Sequence, residues 1–206
     1  MSQILEVHPV DPQQRLLARA VDVLRAGGVI VYPTDSSYAL GCRLGDKGAL
    51  ENIRRIRQAE RDHEFTLVCR DLSEIVTYAR VDNWAYRLMK ALTPGPFTFV
   101  LKATGEVPKR VQDKRKTIGI RVPDNRIAQA LLESLGEAIM SSTLLLPGEE
   151  YALADPDDIV SRVGKLVDAI VLGGACRLDP TTVIDLSAGE LDVVRQGLGD
   201  VSGFAG

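Results

Sequence analysis

Gly27-Gly28-Val29-Ile30-Val31-Tyr32-Pro33-Thr34-Asp35-Ser36-Ser37 is the stretch on which the architecture turns. The paired glycines stop a preceding helix, because glycine accepts the backbone conformation that a helix end requires. Four β-prone residues follow with no polar break, which is how a fully buried strand reads. Pro33 closes the run, and a polar turn of threonine, aspartate and serines lies at the strand's carboxyl edge. In open α/β sheets ligands bind at strand ends, where loops converge.

The same alternation extends in both directions. Upstream, Asp11-Pro12 is expected to open a helix, with Asp as cap and Pro in the first turn, and Leu16, Leu17, Ala20, Val21 and Leu24 recur at helical spacing. Downstream, a helix is expected over Lys47–Arg57, with Leu50, Ile53 and Ile56 inward and Arg54, Arg55 and Arg57 on other faces. Phe65–Cys69 and Phe97–Leu101 read as strands, separated by helices over Leu72–Tyr78 and Asn83–Leu92. A basic connection, Val107–Lys116, leads into the strand Thr117–Val122. A helix over Arg126–Leu135 ends at Gly136, a strand follows over Ala138–Leu146, and Asp155-Pro156 opens another helix. Ala169–Leu172, Thr182–Leu186 and Leu191–Arg195 complete the strands. Strands alternating with helices predict one domain over residues 10–200, a mixed, mostly buried sheet with helices packed on it.

Composition sets bounds on function. Of 206 residues, 45% are apolar and 26% charged, which is globular composition. A net charge of −3 gives no overall attraction for nucleic acid, so any affinity for anions must come from local clustering. Cys42, Cys69 and Cys176 have no paired spacing, as expected of a reducing compartment. No basic start or apolar run marks the N-terminus as a signal peptide, and no apolar stretch approaches the roughly 20 residues that span a bilayer. A cytoplasmic, soluble protein is the expectation. His8 and His63 are the only histidines, too far apart for the usual zinc sites, and His63 reads as a solvated loop residue. No dinucleotide fingerprint, phosphate loop, nucleophile elbow or HExxH is present.

What remains is a set of hydroxyls and arginines at strand ends. Thr34 and Ser36 follow the first strand; Thr117 opens and Arg121 nearly closes TIGIRV; Ser141, Ser142 and Thr143 lie on IMSST; Thr181 and Thr182 open TVIDL; Arg195 ends LDVVR. Such groups hold carboxylates and phosphates, arginine through a planar fork matched to two anionic oxygens. Arg121 stands among Ile118, Ile120 and Val122, so its charge needs either a fixed carboxylate or a ligand anion. Two basic clusters, Arg54, Arg55, Arg57 and Arg61, then Lys109, Arg110, Lys114, Arg115 and Lys116, hold 9 of the 25 lysines and arginines. That concentration favours a local anion site, for a nucleotide's phosphates or an RNA backbone alike.

Six segments in order resemble one family. Val29–Cys42 is similar to its YPTDTVYGLGC signature, and Arg55-Ile-Arg-Gln with Phe65–Ser73 to its RIKGR…PFTLLCxDLS segment. Thr93–Leu101, Thr117–Pro123 and Pro180–Leu186 resemble xPGPxTxIL, TVGVRVP and PSTVVDL, and Val194-Arg-Gln-Gly197 its closing LRxG. The chain is identified as a member of the YrdC-like family, nearest its YciO branch. The resemblance implies a twisted open mixed sheet flanked by helices, with a concave basic cleft. It also implies synthesis of L-threonylcarbamoyladenylate from L-threonine, bicarbonate and ATP with Mg²⁺, releasing diphosphate, in the threonylcarbamoyl-adenosine modification of tRNA. By position, Thr34 and Arg121 would hold threonine beside Thr181, Thr117 and Arg195 would contact the nucleotide, and Arg57 would face its phosphates, with Arg57 and Arg121 the catalytic pair. Ser36, Ser142 and Thr143 complete the expected substrate and nucleotide site. The family's second KxR cation is replaced by Ala59 and its SxN asparagine by Leu145. The alternative is a tRNA-binding or double-stranded RNA-binding protein, monomeric or homodimeric, contacting RNA through Arg54, Arg55, Lys109, Arg110, Lys114, Arg115 and Lys116.

Overall fold

The structure is a computed structural model that describes residues 2–58 and 65–204. Eleven strands are present among these residues: β1 Gln3–Glu6, β2 Ile30–Tyr32, β3 Ala39–Arg43, β4 Thr66–Val68, β5 Ala79–Arg80, β6 Phe97–Ala103, β7 Thr117–Arg121, β8 Ile139–Thr143, β9 Ala169–Leu172, β10 Thr182–Asp185 and β11 Asp192–Arg195. The helices are α1 Gln14–Arg25, α2 Lys47–Arg57, α3 Leu72–Tyr78, α4 Asn83–Leu92, α5 Arg126–Leu135 and α6 Pro156–Val163, with a 3-10 turn at Lys109–Val111. All strands join one mixed sheet in the order β1-β9-β2-β3-β8-β4-β7-β6-β10-β11, and β5 pairs with β6 outside that path.

The two Asp-Pro pairs behave differently. Asp155 caps α6, its carboxylate accepting the N–H groups of Asp157 and Asp158, with Pro156 in the first turn. The expectation for Asp11-Pro12 is corrected: α1 starts at Gln14 with Gln13 as an N-cap whose side chain makes no capping bond to the helix. His8 Nδ1 instead accepts the N–H groups of Val10 and Asp11, and Gln13 Oε1 accepts that of His8. These contacts turn the chain before the helix and leave Asp11 no capping position.

Strand side chains alternate between two cores. Leu40, Cys42, Leu67, Met140, Ile170 and Leu172 face the layer that holds α2, α4 and α6. Ile30, Tyr32, Val68, Ile139, Ala169 and Val171 face α1 and α5. The second helical layer is the smaller: its contacts on the sheet stop near β4, and the same face of β6, β7 and β10 has no helix in that core cluster. This leaves one half of a sheet face open for side chains that are not core. No helix among the described residues is long and apolar enough to cross a membrane.

Candidate active site

The open face is paved by alternate residues. Leu67, Ile118, Ile120 and Phe99 are buried in the large core, while their neighbours Thr66, Thr117, Gly119, Arg121, Thr98 and Val100 line a hollow of ≈ 970 Å³. Register carries this row across the sheet: Thr66 lies opposite both Gly119 and Ser141, and Gly119 lies opposite Val100. A hydroxyl one place after each phenylalanine, in Phe65-Thr66-Leu67 and Phe97-Thr98-Phe99, is the period-2 signal that marks this floor.

The predicted hydroxyls and arginines converge on the hollow. Thr34, Arg57, Thr117, Arg121, Ser142, Thr143, Thr181 and Arg195 line it, as do Arg110, Lys114 and Arg115 from the basic connection. Ser36 stands one contact behind, joined to Arg121 and Thr34. Arg54 turns away: its guanidinium lies 5.3 Å over the Phe65 ring, it pairs with Glu51, and its side chain is 12% exposed. Arg55 is exposed and donates to Asn52 Oδ1 at 2.7 Å, and Lys109 and Lys116 are exposed outside the hollow. His63, Ala59 and Arg61 lie outside the described residues.

Arg121 is 8% exposed. Of the two partners open to it, the protein supplies a carboxylate: Nη2 pairs with Asp35. Nη1 donates to Ser36 Oγ at 3.2 Å. Thr34 Oγ1 in turn donates to the Ser37 carbonyl at 2.7 Å and lies 3.1 Å from Ser36 Oγ. The hydroxyls of the polar turn are thereby ordered from the guanidinium outward. Arg121 Nε is buried with no partner. A buried donor left unpaired costs about 1–3 kcal/mol.

Among the described residues, the other two arginines donate to neutral oxygens. Arg195 donates from Nη2 and Nε to the Thr181 carbonyl at 2.9 and 3.2 Å. Arg57 donates to Ser142 Oγ at 2.5 Å and to the Leu145 carbonyl at 3.3 Å. Burial lowers both guanidinium pKa values from the ordinary 12.5, and both remain cations at neutral pH. Leu144 is buried in the core, whereas Leu145 lines the hollow, so neither leucine plugs it.

Several site residues gave no distinct signal in the sequence. Asp35 reads as an ordinary turn residue until Arg121 is placed beside it. Asp113 accepts the Thr117 N–H at 2.7 Å, and Arg115 bridges Asp113 and Asp185 at 3.2 and 2.9 Å. Burial raises the pKa of each carboxylate, but hydrogen bonds from Thr117 to Asp113 and from Ser187 to Asp185, aided by Arg115, outweigh it and hold both below the usual range. Thr98 pairs its hydroxyl with Thr181 at 2.9 Å, which fixes the floor beside Arg195.

This geometry can be set beside known proteins. The Sua5/YciO/YrdC family model, described as telomere recombination, matches residues 22–197. The chain belongs to this family. Within it, the uncharacterized protein YciO of Escherichia coli strain K12 is 59% identical over 205 residues, covering 99% of this chain and all of that one. An uncharacterized protein of Haemophilus influenzae is 53% identical over 206 residues, again 99% of this chain and all of that one. The crystal structure of E. coli YciO superposes with a TM-score of 0.95 at 58% identity, over 99% and 100% of the two chains. P. abyssi Sua5 complexed with L-threonine has the same fold, with a TM-score of 0.88 at 23% identity, over 95% of this chain and 58% of that one. The twisted mixed sheet expected of the Sua5/YciO/YrdC family is therefore present.

Proposed function

We propose that the hollow is a nucleotidyl-transfer site that makes L-threonylcarbamoyladenylate from L-threonine, bicarbonate and ATP. The observation that carries this reading is the meeting of Arg57, Arg121 and Arg195, from three separate elements, on one hydroxyl-lined hollow of ≈ 970 Å³. Its volume lies at the upper end of the roughly 300–1,000 Å³ of small-molecule sites, room for a nucleotide and an amino acid together. No histidine lines it among the described residues.

The chemistry asks little acid–base help of such a site. The threonine amine combines with bicarbonate, losing water, to give a carbamate. A carbamate oxygen then attacks the α-phosphorus of ATP; the bond from that phosphorus to the β-bridging oxygen breaks, and diphosphate leaves with the electron pair. Catalysis is then positioning plus neutralisation of charge on the phosphoryl oxygens. Arg121 and Thr34 receive the amino acid, Thr117 and Arg195 the nucleotide, and Arg57 the phosphates, with Ser142 orienting Arg57. Mg²⁺ arrives with ATP as part of the substrate. Among the described residues no group of three or more His, Cys, Asp or Glu could hold a metal. The family likeness to a threonine-bound Sua5 supports the choice of amino acid.

The test is diphosphate release from ATP with threonine and bicarbonate, paired with calorimetric titration of ATP with and without them. Wild-type protein is expected to release diphosphate only when all three are present, and Arg121→Ala to release none. Wild-type protein that releases none with any amino acid overturns the reading. Lys109, Lys114 and Lys116 are exposed on the basic connection beside the hollow, which favours a second role in holding structured RNA. Double-stranded RNA is read through shape and backbone. Changing Lys109, Lys114 and Lys116 to Glu should then weaken RNA binding and flatten its salt dependence; unchanged affinity removes that role.

A further inference from the structure

The charges around the hollow are not equivalent, and Asp35 makes the difference. Arg121 faces the hollow, but Asp35 does not line it. The carboxylate stands behind the guanidinium, with one oxygen on Arg121 Nη2 and the other accepting the Asp124 N–H at 3.0 Å. Its side chain is 9% exposed, so it cannot swing out to solvent without breaking both contacts. Three consequences follow for a ligand. The Arg121–Asp35 pair is close to neutral, so it offers a polyanion little Coulombic gain. One N–H of Nη1 is engaged by Ser36 and one of Nη2 by Asp35, which leaves the second N–H of each nitrogen as the donors that remain for a ligand. Thr34 and Ser36 add hydroxyls at the same end. This end suits a singly charged group.

Beyond Thr98 and Thr181, at Arg195, the field is different. Arg195 meets only the carbonyl and hydroxyl oxygens of Thr181 among its described polar contacts, so its charge is undiminished by any carboxylate. Phosphate oxygens gain more there than beside Arg121.

We infer that Asp35 is a specificity-determining positioning residue: by neutralising Arg121 from behind it reserves that seat for a monoanionic carboxylate and turns phosphate groups away to Arg195. Discrimination of this kind works by making the wrong ligand unfavourable as much as by binding the right one. The inference deepens the proposed function, since it says how one hollow keeps an amino acid and a polyphosphate in separate seats.

The experiment titrates inorganic diphosphate and, separately, L-threonine into wild type, Asp35→Asn, Asp35→Glu and the double variant Asp35→Asn/Arg121→Ala, with thermal melts to check folding. Asp35→Asn is expected to bind diphosphate about tenfold more tightly than wild type, as unmasking a charge in a cleft does, and to make diphosphate compete with threonine. The gain should vanish in the double variant. Asp35→Glu keeps the negative charge, so its diphosphate affinity should stay at the wild-type level while threonine binding weakens. If Asp35→Asn does not fold, Asp35→Glu decides alone: diphosphate affinity raised in that variant overturns the inference. Equal diphosphate affinity in folded Asp35→Asn and wild type also overturns it, whatever threonine does. Failure of the wild type to bind threonine would instead count against the proposed function, and the diphosphate titration would still judge Asp35.

Discussion

Two residues separate a role in the site from a role in the fold. Among the described residues Arg195 donates hydrogen bonds only to Thr181 oxygens, so truncating it strands no buried carboxylate there. Arg195→Ala should leave the melting temperature nearly unchanged while cutting the rate of diphosphate formation by about 10²–10³-fold, the usual loss when one donor to developing charge is removed. Arg195→Lys should recover only part of this, because an ammonium cannot hold the Thr181 carbonyl and a ligand oxygen in one planar fork. Steady-state kinetics of both variants checks the pair of outcomes. Tyr32 is the opposite case. Its hydroxyl is fully buried 2.8 Å from that of Ser141, which also donates to the Leu40 carbonyl at 3.2 Å, and Tyr32 does not line the hollow. Tyr32→Phe therefore leaves Ser141 a partner, and should cost only about 1 kcal/mol in urea unfolding with ligand titrations unaltered.

Two glycines on one face of the sheet test how its strands divide between core and floor. A Cβ on Gly41 of β3 would come within 2.8 Å of the Tyr32 ring and 2.9 Å of Ile139, inside the packed layer under α1 and α5. A Cβ on Gly119 of β7 would meet Thr66 Oγ1 and Thr98 Cγ2 at 3.3 Å, side chains that border open space. Gly41→Ala should thus destabilise by about 1–3 kcal/mol or more, as overpacking does. Gly119→Ala should fold with little loss and weaken ligand binding by raising the floor; melts and titrations on the two variants distinguish these outcomes. The same elements show what sequence could and could not disclose. Helices α2 to α5 follow apolar periodicity and end signals, including Gly136 at φ 79°, and their limits match the reading from sequence. β3 was hidden because Ala-Leu-Gly-Cys carries no β-branched residue; its strand conformation comes from pairing with β2 and β8. β1 is four residues long and held by β9 alone, again a tertiary cause. The hydroxyls and arginines of the hollow were legible by type, because strand ends offer few other uses for them. Asp35 was not, since a single aspartate in a polar turn looks the same with or without a buried guanidinium behind it.

At the scale of the whole molecule, the two cores decide the pH range over which the fold persists. Burial pushes the Cys42 thiol up to about 12 from its ordinary 9.0, Cys176 to about 11, and Tyr32 and Tyr38 to about 12 from 10.0; Cys69 also lies well above its ordinary value. Each of these groups is neutral in the folded protein and ionises more readily once unfolded. Their contribution is therefore complete below pH 9 and is lost as pH rises from there toward 12, at about 1.4 kcal/mol per pH unit for each group ionised only in the unfolded chain. Asp113 and Asp185 act at the other limit: held below the usual carboxylate range, they stabilise above pH 3.8 and lose that contribution as acid protonates them in the fold. Urea midpoints should be flat through the neutral range and fall steeply above pH 9. The Cys42 and Cys69 thiols should accept no alkylating reagent at pH 8 until urea opens the sheet, because a buried neutral thiol is a poor nucleophile. A midpoint unchanged between pH 8 and pH 10, or either of these two thiols alkylated in the native state, would mean that the large core does not enclose Cys42 and Cys69, and would overturn with it the alternation that leaves the floor of the hollow facing outward.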